Sequence, residues 1–144
     1  MSVPPWLRNE SKTKYLWQLY HLNIRIAEIV SNHPKKYRAT YGDKLINTAL
    51  DALLEARIGN NVFVSENMSE MDYQIRRKCL RNAKSKVESI PTIAFIYLEL
   101  TSKADGVNAE KILKQEEEIG IKCFDIAKMI SGVLSSDRKK YNKK

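Results

Sequence analysis

The chain has 144 residues, 43% of them hydrophobic and 29% charged, with a formal net charge of +8 and a pI near 9.5. That length suits one domain with a real core, and the positive charge directs attention to an anionic partner, most simply nucleic acid. The longest apolar run, Ile90 to Leu100, contains Pro91 and Thr92 and falls well short of the ~20 residues of a membrane span.

Residues 1–12 lack the apolar core of a signal peptide, so a non-secreted chain is expected. The first helix is expected from about Ser11 to Val30, with Leu16, Leu19, Tyr20, Asn23, Ala27 and Val30 on one face. Trp17 and Ile24 lie off that stripe. Ser31, Asn32 and Pro34 end the helix, because proline lacks an amide donor and disfavours helix in the residue before it.

Pro34 opens a basic turn in which Tyr37 and Tyr41 lie among Lys35, Lys36 and Arg38. Rings interleaved with cations can stack on unpaired bases. The other reading, preferred for Tyr41, is packing into the core, with Tyr37 covering the helix end. Beyond Gly42 a second helix carries Leu45, Ile46, Ala49, Leu50, Leu53 and Ala56 at three- and four-residue intervals. Gly59 and Asn60 tolerate the left-handed backbone that closes a helix and are expected to stop it.

A third helix is expected from Asn67 or Ser69, with Ser69 as cap, through Ile75, Cys79, Ala83, Val87 and Ile90 towards Lys103. Residues Ile90 to Tyr97 are β-branched and aromatic enough to pass for a strand. A lone strand has no partner in this chain, so helix is preferred, with a kink or break near Pro91. The fourth helix runs from Asn108, a good cap, to about Ser135 along Ile112, Ile119, Cys123, Ile126, Ile130 and Val133. Short connections make this an all-α, antiparallel up-and-down four-helix bundle over residues 1–136. A flexible basic tail, residues 137–144, is expected after it.

Charge is unevenly placed: residues 33–44 and 137–144 together carry +7, whereas residues 105–136 carry −2. On the third helix Arg77, Arg81 and Lys84 share one flank, and Lys78 lies on the outer face. Such a ridge can track a phosphate backbone, or it is an ordinary solvated face. Arg76 and Lys86 fall inside or beside the apolar stripe, where a charge must pair, snorkel, or meet a second subunit or a water-filled channel. With Trp17 and Ile24 off-stripe, this hints at self-association.

Catalytic signals are missing. There is no Glu-x-x-His pair for a di-iron site, no phosphate loop and no zinc spacing. The run Glu116-Glu117-Glu118 spreads over different helix faces and reads as solvated surface. Cys79 and Cys123 sit in apolar patterns and are expected to be buried, reduced thiols of a cytoplasmic protein, with no base beside either. A non-enzyme without metal or cofactor is expected.

Pro34-Lys35-Lys36-Tyr37-Arg38, Tyr41-Gly42, the Leu/Ala-rich helix to Ala56-Arg57 and Asn60-Asn61 resemble one family of small four-helix bundle proteins. One branch of it is encoded in intervening sequences of bacterial large-subunit ribosomal RNA genes. The other comprises the accessory variability determinant proteins of diversity-generating retroelements. The segment from Asp72 to Arg81 resembles the family's third helix, and Glu118-Ile119-Gly120 with Lys128 to Gly132 resembles its fourth. The similarity covers roughly residues 15–135. Many relatives have Gly-Gly-Trp or Gly-Trp where this chain reads Ser131-Gly132-Val133.

The resemblance implies a homopentameric barrel of bundles with a positive surface and a central pore. For the retroelement branch it implies binding to template RNA and to the reverse transcriptase, in support of mutagenic cDNA synthesis and without chemistry of its own. The basic positions it marks are Lys35, Lys36 and Arg38 in the turn, with Arg76, Arg77, Lys78, Arg81 and Lys84 on the third helix. Arg138, Lys139 and Lys140 are added on charge alone. RNA is the expected ligand, DNA a second choice, and no membrane is involved. The alternative is a free-standing intervening-sequence-type bundle of structural or unknown function with weak RNA affinity. An enzyme or ligand-binding bundle is disfavoured, because no inward polar cluster is visible.

Overall fold

A computed structural model describes residues 12–65, 67–104 and 106–142. Its elements are α1 (Lys14–Ser31), α2 (Lys35–Tyr37), a π-helical stretch (Arg38–Gly42), α3 (Asp43–Asn61), α4 (Glu70–Thr101) and α5 (Ala109–Tyr141). No strand occurs among the described residues, and Ile90 to Tyr97 lie within α4. Pro91 is inside that helix, which passes it without a break. The expected helix start at Ser11 and the tail residues Lys143 and Lys144 lie outside the described residues.

The four long helices form a ring in which α1 touches α3 and α5, and α4 touches α3 and α5. Neighbours run antiparallel. Tyr15 at the start of α1 donates to Asn60 at the end of α3 at 3.0 Å, and Arg76 near the start of α4 meets Asp137 near the end of α5. The described chain is thus a four-helix bundle, as its apolar spacing predicts. Both predicted caps form. Ser69 Oγ accepts the Asp72 amide at 3.1 Å, and Asn108 Oδ1 accepts the amides of Glu110 and Lys111 at 2.9 and 3.2 Å. Each satisfies donors that a helix start leaves open.

The core centres on side chains such as Leu19, Ile26, Leu45, Leu80, Ile90 and Ile119, all fully buried. Each contributes about 1.5–3 kcal/mol through removal from water. In α1 the buried sector is wider than predicted and rotated. Leu22, Ile26 and Ile29 are buried, whereas Ala27 is exposed. A helix wedged between two neighbours buries more than one stripe. Asn23 secures one side, donating to the carbonyls of Leu19 and Ala49 at 2.9 Å each.

Three further departures have local causes. Residues Lys35 to Gly42, predicted as a turn, are already helical. Gly59 does not take up a left-handed conformation; the one positive φ among the described residues is 79° at Gly106, in the α4–α5 connection. Gly59 is in close packing instead, where a Cβ would lie 3.2 Å from both Cys79 and Leu80. Finally, α5 continues to Tyr141, so residues 137–141 of the predicted flexible tail are helical. Tyr141 stacks on Tyr73 with ring centroids 4.1 Å apart, and Asp137 is buried. These two contacts hold the last turns against α4.

Candidate nucleic-acid interface

On α4, Arg77, Arg81 and Lys84 follow one another at intervals of four and three residues, which stacks them along one side of the helix. Serines 131 and 135, Leu134 and Arg138 repeat the same spacing on α5 and face them across an open groove of about 430 Å³. Arg138 therefore joins the ridge, although the sequence places it in a separate tail. Its turn is rich in cations (Arg138, Lys139 and Lys140), which suits the negative end of the helix dipole.

Two contacts shape the ridge. Arg77 Nη1 donates to the Tyr73 hydroxyl at 3.2 Å, and the Tyr73 ring is itself held by Tyr141, so this guanidinium is positioned at the groove mouth. Lys84 Nζ lies 4.0 Å from Glu88, with both side chains open to water. An exposed pair of that kind holds little energy, and Lys84 remains free to meet a phosphate.

Not every predicted basic residue reaches this surface. Arg76 is buried. Its Nε donates to Asp137 Oδ2 at 2.6 Å, Nη2 to Oδ1 at 3.3 Å, and Nη1 to the carbonyls of Gly59 and Val62 at 3.2 and 3.1 Å. One residue before Arg77, it is rotated by about 100° onto the core side, and its donors are spent inside the chain. That intrachain pair removes Arg76 as a sign of self-association. Lys78 is exposed and outside the groove. Lys139 is exposed too, whereas Lys140 turns to a different groove, between α1 and α5, beside Lys12 and Lys14.

The basic turn lies at the opposite end of the bundle. A Cβ at Gly42 would come 3.0 Å from Tyr97, and Tyr97 is about 30 Å along α4 from Arg77. The two basic clusters therefore do not share one groove. Arg38 caps α1: its Nη2 donates to the Ser31 carbonyl at 2.6 Å and Nε to the His33 carbonyl at 3.0 Å. Lys35 and Lys36 remain exposed, with Lys36 Nζ 4.9 Å from the Tyr37 ring centre. The tyrosines exchange their expected roles. Tyr41 is 42% exposed, and Tyr37 packs partly against the core.

Several other ionisable groups are shifted by their surroundings within the bundle. Glu118 is gripped by Arg25 at 2.7 and 3.0 Å and by Lys122 at 3.2 Å, and the bond to Arg25 chiefly holds its pKa below the carboxylate range. Glu116 meets Glu99 of α4, and burial together with that neighbour pushes its pKa up to about 7. Cys123 is buried and its thiol is pushed up to about 12 by burial. Cys79 is only half-buried, and burial first, then Glu55, raises its pKa. Both cysteines are free thiols, and neither is disposed to be a thiolate at neutral pH. Among the described residues, no three His, Cys, Asp or Glu side chains gather as a metal-ligand set.

Compared with protein-family models, curated proteins and solved structures, the chain matches none. No helix among the described residues is long and apolar enough to cross a membrane.

One surface residue carries no mark in the sequence pattern. Phe124 is 70% exposed and lines a second groove of about 640 Å³ between α4 and α5, with Pro91, Gly120 and Ala127. The only signal for it is its place off the Ile119–Cys123–Ile126 stripe, four residues after a mid-helix glycine.

Proposed function

We propose that this protein is a non-catalytic RNA-binding accessory protein whose α4–α5 groove holds a phosphate backbone. The observation that carries this reading is the meeting of Arg77, Arg81 and Lys84 with Arg138 across one groove. The net charge of +8 supports it, since neutralising phosphates releases counterions and makes affinity fall with salt.

The finer reading rests on the resemblance carried by residues 34–61 and parts of α4 and α5. On it, the protein is an accessory subunit of a diversity-generating retroelement that joins template RNA to the reverse transcriptase in the cytoplasm during mutagenic cDNA synthesis. Assembly as a homopentamer belongs to the same reading. Exposed Leu50, Leu54 and Ile58, four residues apart on α3, support self-association.

The test is filter binding of RNA at several salt concentrations, with the wild type and with Arg77→Glu/Arg81→Glu/Lys84→Glu. The triple variant is expected to keep its helical content and lose binding. Unchanged affinity and salt slope would remove the groove from the RNA site. Co-purification from the native host tests the enzyme partner, and light scattering at micromolar protein tests the pentamer.

A further inference from the structure

The cation-lined groove does not end at Lys84. Lys84, Glu88 and Ser131 also line the groove that contains Phe124, so the two grooves adjoin as one channel-like path along α4 and α5. From Arg77 to Pro91 it extends about 21 Å at 1.5 Å per helical residue. One end presents guanidinium groups; the other presents an aromatic ring, small apolar side chains and Lys128.

Gly120 floors the apolar end. It stands in the interior of α5, where glycine is less favourable than alanine. The chain's own packing gives no reason for it, because a Cβ there would meet nothing within 4 Å. At Gly42 and Gly59 a neighbouring side chain explains the glycine, whereas Gly120 and Gly132 both have open space; at Gly120 that space opens into the groove beside Phe124. A Cβ-free floor next to an exposed ring leaves room for a flat group lying against the helix.

We infer that this channel takes a single-stranded polynucleotide, with phosphates on Arg77, Arg81, Lys84 and Arg138 and an unpaired base stacked on Phe124 over Gly120. The inference deepens the proposed function and rests on it. A strand has what the channel asks for: negative charge at regular intervals and exposed π-faces. A duplex keeps its bases stacked inside and offers Phe124 none. Glu88, at the junction of the two halves, repels a phosphate but accepts a hydrogen bond from an exocyclic amine of a base.

Fluorescence anisotropy of the full chain with labelled single-stranded RNA and with its duplex, at one salt concentration, tests the inference. The single strand is expected to bind at least about ten-fold tighter. Phe124→Ala is expected to weaken single-strand binding roughly five-fold to a hundred-fold, the range for unstacking one base from an aromatic ring, without altering the salt slope. Phe124→Tyr should restore it. Gly120→Leu, whose Cβ meets no atom of its own chain, should raise Tm and yet weaken the single-strand complex.

Equal or tighter duplex binding, or unchanged single-strand affinity in Phe124→Ala, overturns the inference while leaving RNA binding intact. Phe124→Ala that instead changes the mass by light scattering, with RNA affinity unchanged, assigns the apolar end to a second copy and also overturns it. If the wild type binds neither nucleic acid at low salt, the proposed function itself fails, and the inference with it.

Discussion

The Arg76 guanidinium closes on the Asp137 carboxylate with both side chains nearly withdrawn from water, at 2.6 Å between Nε and Oδ2. The same guanidinium reaches the carbonyls of Gly59 and Val62. One side chain thus ties the end of α3, the start of α4 and the last turns of α5. Removing one member leaves the other charge buried without a partner, so Asp137→Ala is expected to cost about 3–5 kcal/mol. Arg76→Met/Asp137→Leu, which removes both charges, is expected to be far less costly. Urea denaturation of the three proteins checks this; equal losses for the single and double variants would show that packing, not the ion pair, holds the site.

That tie also carries the proposed RNA surface. Asp137 is one residue from Arg138, and Arg76 one from Arg77, so the ion pair sets the register in which half-buried Arg77 and exposed Arg138 face one groove. For an RNA single strand, each phosphate that the protein no longer neutralises is expected to flatten the log–log salt dependence by about 0.7. Arg81→Gln should show that change. Lys35→Gln, at the opposite end of the bundle, should leave the slope as it was. A flatter slope in Lys35→Gln, with none in Arg81→Gln, would transfer the phosphate site to the basic turn.

Apolar periodicity made the helices legible: Leu45, Ala49, Leu53 and Ala56 are buried as their spacing demands, whereas Ile46 is half-buried and Leu50, expected on the same face, is exposed. Ser69 and Asn108 were legible as caps because their oxygens serve donors within the next three residues. Distant partnerships were not. Nothing local tells that Arg76 pairs with a residue 61 positions away, or that Arg38 spends its donors on the end of α1. The ridge of Arg77, Arg81 and Lys84 was readable from one helix, whereas Arg138 enters only through the packing of two.

The glycines separate packing from backbone freedom. At Gly42 an added methyl would press on Tyr97 at 3.0 Å and on Val30 at 3.3 Å, both in a tightly filled core. Gly42→Ala is expected to destabilise the bundle by about 1–3 kcal/mol through overpacking. Gly132, also helical, has open space at that position, so Gly132→Ala should stabilise by up to about 1 kcal/mol. Thermal melts of the two variants should move in opposite directions; a common direction would contradict the packing at one of the sites.

The Glu99–Glu116 pair gives stability a pH dependence of unusual sign. Glu116 has its pKa raised from 4.5 to about 7, chiefly by burial. Between those values the folded chain keeps a proton that the unfolded chain has released, so this group's contribution is fully present at low pH and is lost as pH rises towards 7. Glu118 behaves oppositely: its lowered pKa stabilises above 4.5, a contribution lost as pH falls through the folded value. His33 also opposes Glu116, because burial, with Lys111 and Arg38 nearby, lowers its pKa from 6.5; its contribution is present above 6.5 and is lost in acid. The wild-type profile therefore mixes three slopes, and a single variant isolates one. Glu116→Gln carries a permanent donor for Glu99 and no charge. Its Tm minus the wild-type Tm is expected to increase from about pH 5 to about pH 8. A difference constant across that range would mean that the two carboxyl groups do not share a proton.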